Sequence, residues 1–175
     1  MALIVKKFGG SSVGSTEKIM NVAKRIIEEK KPGDQIVMVV SAMGDTTDDL
    51  IELAKGINSN PYQYSREMDM LLTTGEQVSI SLLTMAFKSL GQKAISLTGP
   101  MVGMRTNSVH TKGKIVDIKP SRVRKELEKG KIVVVAGFQG ADEKGDPVTL
   151  GIDKDMKKKE LEQQAKVSHY TVSKM

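Results

Sequence analysis

Two short apolar runs constrain the fold of this chain more than any other feature. Residues 35–40, QIVMVV, and 131–138, KIVVVAGF, are nearly continuous in valine, isoleucine and methionine, and no polar alternation breaks them. Runs of this kind belong to strands covered on both faces, as in a parallel sheet. Shorter strand-like runs stand at 2–8, ALIVKKF, at 93–98, KAISLT, and near Ile115–Ile118. Between them the period changes. Ile19, Val22, Ala23, Ile26 and Ile27 share one helical face, opposite Glu17, Lys18, Lys24, Arg25 and Glu28, with Ser15 as the expected N-cap and Pro32-Gly33 as the stop. Further helices are expected from about Thr47 to Lys55, closing on Gly56, and from a Ser65 cap to Leu90, interrupted near Gly75. Another is expected at about 121–129, and 57–64 reads as a loop. The helix ending at Leu90 is apolar on several sides, which predicts burial nearly all round. Strands alternating with helices give an α/β fold with a largely parallel sheet between helical layers.

At 175 residues the chain can bury one substantial core. No apolar stretch approaches the roughly 20 residues that cross a bilayer, and no signal-type leader opens the chain, so the cytoplasm is the expected address and no membrane partner is expected. The absence of cysteine rules out disulfides and thiolate chemistry, and two isolated histidines, His110 and His169, make a poor metal cluster. Chemistry must come from Lys, Ser, Thr, Asp and Glu. A net charge of +6 would suit nucleic acid, but only 3% of residues are aromatic and the lysines alternate with acids. The pattern fits a mildly basic protein that handles anionic small molecules, with no nucleic-acid partner.

Ligands of such sheets gather outside the carboxyl ends of the strands. Gly9-Gly10, Ser41 and Gly137-Phe138-Gln139-Gly140 all fall there. The stretch KKFGGSSVGS sets a lysine beside bare backbone ahead of a helix, an arrangement that suits a phosphate. It lacks the spacing of a Walker loop, and Ser11 stands where a dinucleotide fingerprint would need glycine. An anion site and an ordinary glycine turn both remain open. In SAMGDTTDD, Thr46 or Thr47 could cap a helix with Asp48 and Asp49 in its first turn, or these groups could meet a ligand. Glu76, after Gly75 at an expected helix start, carries the same ambiguity. Met68, Met70, Met85, Met101 and Met104 read as core filling.

The segments VKKFGGSSVGS, VVSAMGDTTDDL, REMDMLLTTGEQVS and VVVAGFQG, in this order over residues 1–151, closely resemble the aspartate kinases of the amino acid kinase family. The resemblance implies an αβα sandwich, here incomplete. It also implies transfer of the γ-phosphoryl group of Mg-ATP to the side-chain carboxylate of L-aspartate, giving 4-phospho-L-aspartate, the entry step to lysine, threonine and methionine. By that similarity Lys7, Phe8, Gly9 and Gly10 belong to the ATP-phosphate site, with Ser11 and Ser41 beside it and Lys7 as the catalytic group. Thr47, Asp48 and Glu76 match positions associated with aspartate, Glu76 suiting its ammonium group. ATP and Mg²⁺ bound with it are the implied cofactors.

After Gly151 the aspartate kinases continue with Arg-Gly-Gly-Ser-Asp, a second glycine loop, whereas this chain reads Ile152-Asp153-Lys154-Asp155-Met156. Residues 1–151 therefore read as the N-terminal portion of a catalytic domain. Residues 152–175 read as a divergent, polar, helical tail, and no regulatory ACT domain is expected in this sequence. An exposed sheet edge predicts a homo-oligomer or association with another chain. The alternative to an active kinase is a catalytically inactive fragment that binds phosphate weakly or only associates.

Overall fold

The computed structural model of the chain describes residues 2–151, and the helical tail expected at 152–175 lies outside the described residues. Four strands form the main sheet: β1 (Leu3–Phe8), β2 (Gln35–Val40), β3 (Ala94–Leu97) and, numbering in chain order, β6 (Ile132–Ala136). Their order is β1-β2-β6-β3 and every pairing is parallel, Val5 facing Val37, Val39 facing Val135 and Ile95 facing Val133. The two apolar runs occupy the centre. All five residues of β6 are buried, and so are four of the six in β2.

Strand alternation divides the core in two. Ile36, Met38, Val40, Val134 and Ala136 turn to one face, where they meet α1 (Thr16–Glu29) and α3 (Ser65–Ser89) through Ile19, Ala23, Ile26, Ile80, Leu83 and Phe87. Val37, Val133, Val135 and Leu97 turn to the other, against Val123 and Leu127 of α4 (Ser121–Glu128). Helices thus cover both faces of a parallel sheet. Along β1 the same alternation sends Lys6 to the α1 side, where it pairs with Glu29, and Lys7 to the other.

Ser15 caps α1 as expected, its Oγ accepting from Lys18 N at 3.2 Å. Other boundaries differ. The second helix, α2 (Thr46–Ile57), runs through Gly56, and Asp45 at its N-cap makes no side-chain cap bond, so neither Thr46 nor Thr47 is the cap. Residues Pro61–Tyr64 wind as a 3-10 helix, and Ser65 is the first residue of α3. That helix passes Gly75 without a break, because Gly75 serves packing: a Cβ there would stand 3.0 Å from Ala42 Cβ. Nor is α3 buried all round. Met70, Val78 and Met85 are exposed on one flank, and among the methionines read as core filling Met101 is also exposed while Met68 is buried.

A second, smaller sheet goes beyond the sequence expectation, which holds only its strand at Ile115–Ile118. It joins β4 (Met104–Thr106), β5 (Ile115–Ile118), β7 (Gln139–Ala141) and β8 (Pro147–Thr149) in the order β5-β4-β7-β8, with antiparallel pairs at both ends and one parallel pair between. No helix among the described residues is long and apolar enough to cross a membrane.

Candidate active site

Three strand ends meet at one edge of the sheet. β1 delivers Lys7 and Phe8 to a tight turn, in which Ser12 N–H donates to Gly9 O at 3.0 Å and residues Gly10–Val13 wind into a 3-10 helix ahead of α1. β2 delivers Ser41–Asp45. The two loops interlock: Ser41 N–H donates to Phe8 O at 3.2 Å and Gly44 N–H to Gly10 O at 3.1 Å. The two glycines have separate reasons. A Cβ on Gly10 would lie 2.6 Å from Ala42 O, so only glycine lets the loops close, whereas nothing stands within 4 Å of a Cβ placed on exposed Gly9. Gly10 is a packing requirement, and Gly9 leaves bare, approachable backbone.

Lys7 is exposed at this edge, with its Nζ 5.0 Å from the centroid of the Phe138 ring. An ammonium over an aromatic face is held without being neutralised. Phe138 itself has φ +53°, a left-handed conformation that non-glycine residues seldom adopt. Ser11 is exposed and its carbonyl accepts from Lys18 Nζ at 3.0 Å, while Ser41 is half-buried.

Glu76 enters from the opposite side, at the middle of α3 and not at a helix start, so the dipole argument for an acid there does not apply. Its residue is 9% exposed. Burial raises its carboxyl to about 7, against the opposing pull of hydrogen bonds from the backbone N–H groups of Ala42 and Glu76 and from the Gln139 side chain. A carboxylate that costs stability where it stands, with donors already on it, suits a cationic ligand group. Thr47 and Asp48 occupy the exposed first turn of α2, whose neighbour Thr46 packs over Gly75.

The interlocked loops, Lys7, Glu76 and the Phe138–Gln139 turn therefore share one end of the sheet. Among the described residues no cluster of three or more His, Asp or Glu could hold a metal ion.

Four residues that organise this region receive no role of their own in the sequence. Phe138 and Gln139 are placed there at a ligand-gathering strand end and in the motif VVVAGFQG, without a role for either, and Ala42 contributes through its main chain, which no motif displays. Asp69 is fully buried in α3, where it accepts from Thr111 N–H at 3.0 Å, Thr149 Oγ1 at 2.5 Å and His110 Nδ1 at 2.8 Å. It ties α3 to β8 and to the loop after β4. An acid between two methionines on an apolar helix, Met68-Asp69-Met70, was the available signal.

Fold and site together define an α/β protein with a glycine loop, an exposed lysine and a buried acid at the carboxyl ends of its strands. The model of the amino acid kinase family matches residues 2–156, and the chain belongs to that family. Among its relatives, an aspartokinase of Bacillus sp. (strain MGA3) is 59% identical over 151 residues, 86% of this chain and 36% of the relative. Aspartokinase 2 of Bacillus subtilis (strain 168) is 57% identical over the same share. The chain thus spans little more than a third of the length of these curated relatives. The aspartate kinase structure from Synechocystis superposes with a TM-score of 0.71 at 46% identity, covering 85% of this chain and 24% of that one. The fold also matches E. coli aspartokinase III in complex with aspartate and ADP, at TM-score 0.72 and 19% identity, over 87% of this chain and 44% of that one.

Proposed function

We propose that this chain carries the phosphate loop and the aspartate pocket of an aspartate kinase, which transfers the γ-phosphoryl group of Mg-ATP to the side-chain carboxylate of L-aspartate. The observation that carries the reading is Glu76, a buried carboxylate on the turn of α3 that packs against Ala42, at the strand ends that also carry a glycine loop and an exposed lysine. Aspartate brings an ammonium group for Glu76 and a carboxylate to be phosphorylated. The relatives named above are aspartokinases.

The chemistry needs few groups. A carboxylate with an ordinary pKa of about 3.9 is ionised at neutral pH and requires no general base. The obstacle is electrostatic, because an anion must approach a phosphate of higher charge. In this reading Lys7 and the bare backbone at Gly9, with Gly10, Phe8, Ser11 and Ser41 around them, stabilise the charge spread over the transferring group. Glu76 binds the aspartate ammonium, and Thr47 and Asp48 orient the substrate from the first turn of α2. Mg²⁺ belongs to the nucleotide substrate.

ATP-dependent formation of a hydroxylamine-trapped acyl phosphate from L-aspartate tests the reading on the purified chain. Turnover is expected to fall at least about a hundredfold in Lys7→Ala, the scale set by removing one transition-state charge partner. Because the chain spans 36% of its relatives, a second reading is a fragment that binds aspartate or phosphate without turnover, alone or as part of an oligomer. Saturable aspartate binding with no trapped product would favour it.

A further inference from the structure

We propose that Phe138 is the positioning residue for Lys7, its ring holding the ammonium at the strand ends where a phosphate meets it. The inference rests on Lys7 being the partner of the transferring phosphate.

The two lysines of β1 have different partners. Lys6 pairs with Glu29. Among the described residues no carboxylate pairs with Lys7, whose Nζ lies 5.0 Å from the centroid of the Phe138 ring. Lys7 faces Val39 of β2, and Val39 faces Val135 of β6, so the lysine and the ring belong to strands that β2 separates. Two strand spacings are about 10 Å. A flexible four-carbon stem has no reason of its own to keep one direction in water. The ring face supplies that reason, and because it attracts the cation through its quadrupole it leaves the charge available to an anion.

A strained backbone places the ring. In Ala136-Gly137-Phe138-Gln139-Gly140 the left-handed position, φ +53°, belongs to Phe138 and to neither glycine. Both glycines serve close packing, a Cβ on Gly137 lying 3.2 Å from Val40 O and one on Gly140 2.7 Å from Thr106 Cγ2. Glycine would adopt the φ of Phe138 without steric cost, so a phenylalanine there points to a use for its side chain. The surroundings hold it in place. Gly137 N–H donates to Val40 O at 2.9 Å, Leu150 N–H donates to Phe138 O at 2.9 Å, and buried Gln139 donates through Nε2 to Thr73 O at 3.2 Å.

The experiment is proton NMR of the full chain, with the Lys7 ε-methylene signals assigned through Lys7→Met, followed by binding of inorganic tripolyphosphate and of Mg-ATP. Protons over an aromatic face move upfield. The shift is expected in the unaltered chain and in Phe138→Tyr, and should vanish in Phe138→Leu. Tripolyphosphate affinity should weaken about two- to fivefold in Phe138→Leu, hold in Phe138→Tyr, and show no such loss when Phe138→Leu is added to Lys7→Met. If Phe138→Leu does not fold, the Lys7 signals of the unaltered chain still decide. Unshifted Lys7 signals, an unchanged affinity in a folded Phe138→Leu, or a loss that persists in the Lys7→Met background overturns the proposal. So does a loss confined to Mg-ATP, which would make the ring a support for the base. If the Lys7 signals are shifted but the unaltered chain binds neither anion, the positioning of Lys7 stands and the phosphate reading falls.

Discussion

Glu76 is the residue at which stability and proposed function pull in opposite directions. Its carboxyl titrates near 4.5 in an ordinary setting and near 7 in the fold, with burial as the main cause. Below about pH 4.5 it is protonated in both the folded and unfolded chain, and its full contribution to stability is present. Between the two values the unfolded chain sheds its proton first, so stability falls as pH rises, and above about 7 the loss is complete. A shift of this size corresponds to about 3 kcal/mol. Glu76→Gln is therefore expected to stabilise the ligand-free chain by up to about 3 kcal/mol at pH 8 and hardly at all at pH 4.5, as read by urea unfolding at both values. The same side chain predicts proton release on binding an ammonium ligand. Calorimetry of aspartate binding at pH 6.5 in buffers of different ionisation enthalpy should register part of one proton leaving the complex, and none at pH 8.5. A buffer-independent enthalpy at both values would separate Glu76 from the ligand.

At the scale of elements, the site depends on how closely two loops and a helix approach. Gly10→Ala puts a Cβ 2.6 Å from the main-chain oxygen of Ala42, an atom no rotamer change can move. The expected cost is about 1–3 kcal/mol in chemical denaturation, accompanied by weaker phosphate or nucleotide binding because the loop must open. Gly9→Ala meets open space and should leave stability within about 0.5 kcal/mol. Equal losses for both would refute the distinction between them. Contacts of this kind also mark the limit of what the sequence discloses. β2 and β6 are legible because continuous apolar runs have one physical meaning, and α1 because its stripe, its Ser15 cap and its Gly33 stop agree. β4, β7 and β8 are not, since each has only three residues and draws its order from partners far along the chain. The course of α3 through Gly75 is hidden for a related reason: a glycine that breaks a helix and a glycine that admits Ala42 look alike until the neighbour is known. Lys7 and the glycine loop can be read as a candidate site in one line of sequence. The surroundings of Glu76 cannot, because Ala42 acts through its backbone and Gln139 lies across the fold.

Over the whole molecule, the question is where exposed surface invites association. The sheet ends in β1 on one side and β3 on the other, and unpaired strand edges template further pairing. Both edges are guarded. β1 carries Lys6 and Lys7, and β3 is only four residues long, devices that discourage edge-to-edge contact. Exposed apolar side chains are scattered over loops and β5 as well, Val109 and Val116 among them, but those on the helices line up. Met70, Val78 and Met85 lie eight and seven residues apart on α3, a spacing that places them on one flank, and at 42%, 50% and 62% exposure they form a stripe open to solvent. Leu53 and Ile57, one turn apart on α2, add a second exposed pair. Stripes of this kind drive association more readily than a charged strand edge does. Sedimentation velocity across a concentration series is therefore expected to show reversible self-association of the chain, and Val78→Glu with Met85→Lys should shift it toward monomer. The double variant exposes no core and adds charges of opposite sign, so its melting temperature should hold within a few degrees. If self-association instead survives that double variant and disappears when Lys6 and Lys7 are tested as edge guards by a proline at Val5, pairing along β1 is the contact. A chain monomeric at every concentration would show that the α3 stripe is too narrow to hold two copies together.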